Sequence, residues 1–228
     1  MRLFLILAIC LLPTQLDAQY WAPSADSDYH NSIVEIIGNG YKGSGTVVGF
    51  VKDSEQNPDY YVGIIITASH VIYSQDTPIT TRFLNGCITD GGRVIKKNDY
   101  SMDGFNDIAI IRALIPDSVV PMELSDTAPQ CGDLVELAGY GAEQFRHWVA
   151  TYGGTVYEKD GILVFSWAIQ GDSGGPIICD GKVIGVICYG TGLKKYNDTP
   201  RLVVGPVYGT NTKRMKEAIK KYIQDATT

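Results

Sequence analysis

The chain has 228 residues, 45% of them hydrophobic and 19% charged, with 25 Gly, 10 Pro and three His. It is too apolar and aromatic for a disordered chain and long enough to bury a core without cross-links. A net charge of −6 argues against a nucleic-acid-binding surface over most of its length, and five Cys are too few for a disulfide-built scaffold.

Residues 1–18 come first. Arg2 precedes an unbroken apolar run over residues 3–12, Pro13 stops it, and Ala18 offers a small residue before Gln19. This pattern reads as a secretory signal peptide. Ten apolar residues fall short of the roughly 30 Å of hydrocarbon a membrane anchor must cross, so no stable anchor is expected. Export places Cys87, Cys131, Cys179 and Cys188 in oxidising surroundings. Their spacing leaves all three full pairings open.

The body reads as strands. Residues 32–37, 46–51, 60–67, 94–97 and 108–112 form a first set of β-branched and aromatic runs. Residues 134–138, 149–157, 162–167, 176–179, 183–188 and 202–207 form a second. Turn signals such as Asn85-Gly86 and Asp180-Gly181 separate them. Many short strands at this spacing predict an all-β barrel or sandwich class. Residues 116–130, rich in Pro, Ser and Asp, divide the two sets and read as a linker. The expected units are therefore 19–115, 131–209 and a terminal segment 210–228. In that segment Met215, Ile219, Tyr222 and Ile223 recur at helical spacing, with Thr210, Asn211 or Thr212 as the cap. It predicts an ordinary terminal helix, docked by its apolar stripe with a cationic face in solvent.

Three motifs converge on one chemistry. Gly171-Asp172-Ser173-Gly174-Gly175-Pro176 surrounds a serine with glycines that let the backbone bend. The N–H groups of Gly171 and Ser173 then become oxyanion donors, which a serine nucleophile needs along with a base. Ile66-Thr67-Ala68-Ser69-His70-Val71 puts His70 at the end of an apolar strand, while His30 and His147 lie in polar and charged surroundings. Asn106-Asp107-Ile108-Ala109-Ile110-Ile111 puts Asp107 at the mouth of another strand; the competing Asp99 and Asp103 lead into no apolar run. Chain order discriminates among scaffolds. An α/β-hydrolase needs a His after the nucleophile, and no His follows Ser173. A subtilisin-type order needs the acid before His70, within alternating strands and helices that the pattern lacks. The order His70, Asp107, Ser173 goes with a β-barrel scaffold.

With these motifs in place, the sequence resembles the chymotrypsin/trypsin-like serine peptidases. Gly43-Ser44-Gly45-Thr46 resembles the strand before the family's histidine, and Thr67-Ala68-Ser69-His70 its Thr-Ala-Ala-His, with Ser for one Ala. Asp107-Ile108-Ala109-Ile110 resembles its Asp-Ile-Ala-Leu, Gly139-Tyr140-Gly141 its Gly-Trp-Gly, and residues 185–190 its Gly-Ile-Val-Ser-Trp-Gly. Separations of 37 residues from His70 to Asp107 and 66 from Asp107 to Ser173 resemble the compact microbial, HtrA-type branch. The resemblance implies two six-stranded antiparallel barrels, a catalytic triad of His70, Asp107 and Ser173 in the cleft between them, and a polypeptide substrate. It calls for no cofactor and no metal. It also implies Ala168, Tyr189 and Gly190 as substrate-binding residues.

Several departures qualify the resemblance. Trp167 stands where trypsin-type members carry an acid, so preference for Lys or Arg is not implied. Cys188 stands where the family has a Ser whose hydroxyl supports the buried Asp, and a thiol donates more weakly. Cys131 and Cys179 lie near positions the family often joins by a disulfide. Asp172 precedes the nucleophile, as does the Asp that pairs with a released amino terminus in digestive members. Here, however, Ile33-Val34 reads as the first barrel strand. Asn197-Asp198-Thr199 fits the glycosylation acceptor pattern. Two function classes follow: a secreted serine endopeptidase, and a catalytically silent peptidase-like binding module. The full set of nucleophile, base, acid and oxyanion glycines favours the first.

Overall fold

A computed structural model describes residues 28–51, 59–72, 74–76, 78–97, 107–156, 161–190, 202–211, 216 and 219. The expected signal peptide, the Asn197 acceptor and most of the expected terminal helix lie outside the described residues.

The first strand set closes into a barrel. It comprises β1 (Ile33–Gly38), β2 (Tyr41–Val51), β3 (Tyr60–Thr67), β4 (Ile79–Arg82), β5 (Ile88–Lys97) and β6 (Ala109–Pro116). Their spatial order is β1-β2-β3-β6-β5-β4, and β1 pairs with β4 to close the ring. The second barrel comprises β7 (Leu134–Gly139), β8 (Arg146–Val156), β9 (Gly161–Ile169), β10 (Pro176–Cys179), β11 (Lys182–Gly190) and β12 (Leu202–Asn211). Its order is β10-β11-β12-β9-β8-β7, closed by the β7–β10 pair. All the strand pairs named here are antiparallel. The chain is thus the expected all-β, two-barrel, chymotrypsin-like fold. Closure leaves neither sheet with an open edge.

The β-branched runs explain the cores. Ile64, Ile65 and Ile66 on β3 are all fully buried, each contributing about 1.5–3 kcal/mol by leaving water. The larger core crosses the junction between the barrels. It joins Ile33, Ile65 and Ile111 of the first to Ala138, Tyr140, Ile178 and Val186 of the second. A smaller core, with Leu137, Tyr152, Ile162, Val164 and Ile177, fills the second barrel. Segment 117–130 is stitched to both. Met122 N–H donates to the Val47 carbonyl at 2.9 Å, and Ser125 N–H to the Val183 carbonyl at 2.8 Å.

The structure corrects the sequence reading in four places. Strand β4 has no predicted counterpart. Its Ile-Thr-Thr-Arg run is too short and polar to signal by itself, and pairing with both β1 and β5 holds it. Thr210 and Asn211 end β12 rather than capping a helix, because their backbone still pairs with Val186 and Gly185 of β11. Beyond them Lys216 and Ile219 are helical, and Ile219 is buried in the core that crosses the junction. None of Cys87, Cys131, Cys179 and Cys188 is joined in a disulfide; Cys131 turns its thiol to the Gly153 carbonyl at 3.4 Å. Finally, the polar and charged sequence around His30 and His147 does not leave them at the surface. Both rings are buried and meet each other, Nε2 to Nδ1, at 3.2 Å.

Candidate active site

Strand register brings His70 and Asp107 together. Thr67, the last residue of β3, pairs with Ala109, the first of β6. His70 lies just past that end of β3, on a 3-10 turn over Ser69–Val71, and Asp107 lies just before β6. Neighbouring strands in this register must present the two residues side by side. His70 Nδ1 is 2.5 Å from Asp107 Oδ2. The other carboxylate oxygen, Oδ1, accepts the His70 backbone N–H at 2.9 Å and the Ser69 hydroxyl at 2.7 Å. Burial to 1% exposure pushes the Asp107 carboxyl up. Its hydrogen bonds and attraction to His70, with the Ser69 bond, outweigh this and hold it below the ordinary carboxylate range. An ionised Asp107 holds the proton of a neutral His70 ring on Nδ1 and leaves the lone pair on Nε2.

The serine turn joins β9 to β10 and is pressed against the first barrel. Gly174 has φ +89°, and a Cβ there would lie 2.0 Å from the Ser44 carbonyl and 2.2 Å from Thr67 Oγ1. No side chain fits, so glycine is required both for conformation and for space. Hydrogen bonds span the junction at the same place. Ser44 N–H donates to the Ser173 carbonyl at 2.7 Å, and Ser44 Oγ–H donates to the Gly171 carbonyl at 2.7 Å. Ser44 Oγ also accepts Tyr140 N–H at 2.8 Å, while Thr67 Oγ1–H donates to the Ser44 carbonyl at 2.6 Å. Ser173 is thereby held against the strand end that carries His70. Its half-buried hydroxyl donates to the Cys188 carbonyl at 3.3 Å, and the Cys188 thiol reaches the Asp107 backbone carbonyl at 3.5 Å. Among the described residues, neither the Gly171 nor the Ser173 N–H has a backbone hydrogen-bond acceptor.

Asp172, between these two donors, is fully buried. Its Oδ2 accepts Arg146 Nη2 and the Ile169 N–H at 2.7 Å. Burial raises its carboxyl above the ordinary range, with Arg146 partly offsetting the shift. Arg146 opens β8. Its guanidinium lies 4.5 Å from the Trp167 ring centre and 5.0 Å from that of Trp148, and the two indoles stack at 5.1 Å. Stacking suits a planar, weakly hydrated cation. The partner of Asp172 is thus an internal arginine.

A family model for the trypsin-like peptidase domain matches residues 43–186. The chain belongs to the trypsin-like peptidase family. It is 25% identical over 170 residues to Trypsin delta of Drosophila erecta, a match that covers 59% of this chain and 67% of that protein. Against Trypsin of Sarcophaga bullata identity is 21% over 172 residues, with 58% and 66% covered. The serine endoprotease from Yersinia pestis superposes with a TM-score of 0.64 at 16% identity, over 89% of this chain and 68% of that one; this likeness speaks to the fold. In this trypsin-like chain, Ala168 is buried in the second barrel's core and pairs with Val203 of β12. Tyr189 and Gly190 end β11, opposite Tyr208 and Val207. Among the described residues no cluster of His, Cys, Asp or Glu could hold a metal ion.

Three residues of this site carry no role in the sequence reading. Ser44 shows only as the middle of Gly-Ser-Gly, yet it ties the serine turn to β2. Arg146 shows only as one charge in a polar stretch. Ser69 shows only as a departure from Thr-Ala-Ala-His. Their partners lie 127, 26 and 38 residues away in sequence, so no local pattern exposes them.

Proposed function

We propose that the protein is a secreted serine endopeptidase acting through His70, Asp107 and Ser173. The observation that carries this reading is the 2.5 Å contact between His70 Nδ1 and the buried Asp107 carboxylate, beside a glycine turn whose Gly171 and Ser173 N–H groups have no backbone acceptor among the described residues.

The Ser173 hydroxyl rests on the Cys188 carbonyl through a long, weak bond. In this mechanism the hydroxyl leaves that carbonyl and turns its proton to His70 Nε2. Resting enzymes often hold such contacts loosely and tighten them with substrate bound. Ser173 Oγ attacks the peptide carbonyl as His70 takes its proton. The carbonyl electron pair moves to oxygen, and the Gly171 and Ser173 N–H groups stabilise that charge. His70 then protonates the leaving amine as the C–N bond breaks, giving an acyl-enzyme. A water repeats the sequence: His70 takes its proton, the ester to Ser173 breaks, and the proton returns to Ser173 Oγ. Asp107 keeps its charge throughout and stabilises the imidazolium. At the position where trypsin-type members carry an acid, Trp167 stacks under the Arg146 guanidinium. That arrangement argues against cleavage after Lys or Arg. Secretion rests on the apolar run over residues 3–12.

A fluorophosphonate probe tests the reading, since it phosphonylates only an activated serine. Wild type is expected to label at one serine and Ser173→Ala not at all. The silent-module alternative requires that wild type stay unlabelled, which would overturn the proposal.

A further inference from the structure

We infer that the Ser69 hydroxyl is the side-chain donor that orients the triad carboxylate, replacing a donor that Cys188 no longer supplies. This deepens the proposed function and rests on that reading of His70, Asp107 and Ser173.

A carboxylate at 1% exposure cannot turn to water for its hydrogen bonds, so protein donors must fix both its charge and its rotation. Asp107 Oδ2 is taken up by His70 Nδ1. Oδ1 then decides how the carboxylate plane is set, and two donors converge on it, the His70 N–H at 2.9 Å and the Ser69 hydroxyl at 2.7 Å. Ser69 is itself fully buried, so its hydroxyl, like the carboxylate, has no water to turn to. Hydroxyl-to-carboxylate bonds are short and about twice as strong as neutral ones. Cys188, on β11, sets its thiol against two backbone carbonyls, of Asp107 at 3.5 Å and Val186 at 3.3 Å. A thiol is the poorer donor in any case.

The two departures from the family motifs therefore meet at one carboxylate. A hydroxyl is present at residue 69 and missing at residue 188. The exchange has a mechanical consequence. Ser69 and His70 are adjacent on one short 3-10 turn, so that turn grips Oδ1 through a side chain and a backbone N–H at once. The side-chain hydroxyl that sets Oδ1 thus comes from the first barrel, next to the imidazole it helps to align. Ser69 touches neither substrate nor nucleophile; it is a positioning residue.

The test compares wild type, Ser69→Ala and Ser69→Ala with Cys188→Ser. A hydrogen bond to a charged group, once lost, corresponds to about a tenfold to hundredfold fall. Ser69→Ala should lose that much in kcat at nearly constant KM, and in fluorophosphonate labelling rate. The NMR resonance of the short His70 Nδ1–H···Asp107 bond should shift or broaden. The hydroxyl of Cys188→Ser should recover most of both. A purely structural Ser69 would lower the melting temperature while leaving the resonance and kcat in place, and that result overturns the proposal. The resonance does not depend on turnover. Wild type that shows it but resists the probe therefore counts against the peptidase reading, not against Ser69.

Discussion

Replacing Arg146 by Met removes the cation from a buried pair next to Ser173 while keeping a flexible, apolar side chain against the two indoles. Asp172 is fully buried, and Arg146 is only 16% exposed, so solvent does little to soften the loss. Breaking such a pair by removing one partner costs about 3–5 kcal/mol. Asp172 would keep its bond from the Ile169 N–H at 2.7 Å, which favours the lower end, about 3 kcal/mol. The least costly response is local. The turn over residues 171–173 rotates, Asp172 reaches water, and the Gly171 and Ser173 N–H groups leave their aligned positions, while both barrels stay closed. Taking the unpaired buried charge as the only difference between the two turns, about 3 kcal/mol at about 1.4 kcal/mol per factor of ten leaves roughly one molecule in a hundred with the turn aligned. Arg146→Met should therefore label with a fluorophosphonate about 10² times more slowly than wild type, with little change in melting temperature. Adding Asp172→Asn should recover part of the rate, because a neutral amide has no charge to expel. Wild-type labelling by Arg146→Met would refute the argument that this pair holds the turn.

Asp107→Asn should lower kcat by about 10⁴, the cost of the same change in the family's template enzyme, with KM little altered in steady-state peptide hydrolysis. Gly174→Ala should destabilise the chain by at least about 3 kcal/mol in urea unfolding, since its Cβ would sit inside the Ser44 carbonyl and Thr67 Oγ1. Gly40→Ala, also at positive φ but with open space around it, should cost only about 1 kcal/mol. His30 titrates below its usual 6.5 because burial, and then His147, disfavour its charge against the pull of Glu136. The folded chain refuses a proton that the unfolded chain accepts. This contribution to stability is complete above about pH 6.5 and is lost as pH falls from there toward the lowered value. Melting temperatures between pH 7 and 5 should fall less steeply in His30→Gln than in wild type, and equal slopes would exclude His30 as the source.

Eleven of the twelve strands are legible as β-branched runs between turn signals. Strand β3 is a case where the predicted and observed bounds coincide, at residues 60–67. Alternation and turn chemistry act over a few residues, so a linear reading captures them. Strand β4 is invisible for the opposite reason. Ile79 and Thr81 are buried, but four residues carry too little pattern, and only the two flanking strands make the run extended. The far end of β12 is similar: helical spacing begins near Thr210, yet pairing with β11 decides its conformation.

The site divides in the same way. His70, Asp107 and Ser173 stand out because each sits in a motif whose glycines or apolar runs are contiguous with it. The sequence alone therefore indicated the class of scaffold and the side chains, in order, on which the proposed chemistry rests. It did not specify the support behind them. That Arg146 neutralises Asp172, that Ser69 grips Asp107, and that Ser44 ties the serine turn to β2 became visible only when barrel closure brought distant strands within hydrogen-bonding reach. A donor's partner is fixed by distances of about 3 Å in space, and separation along the chain places no bound on which residue will supply it.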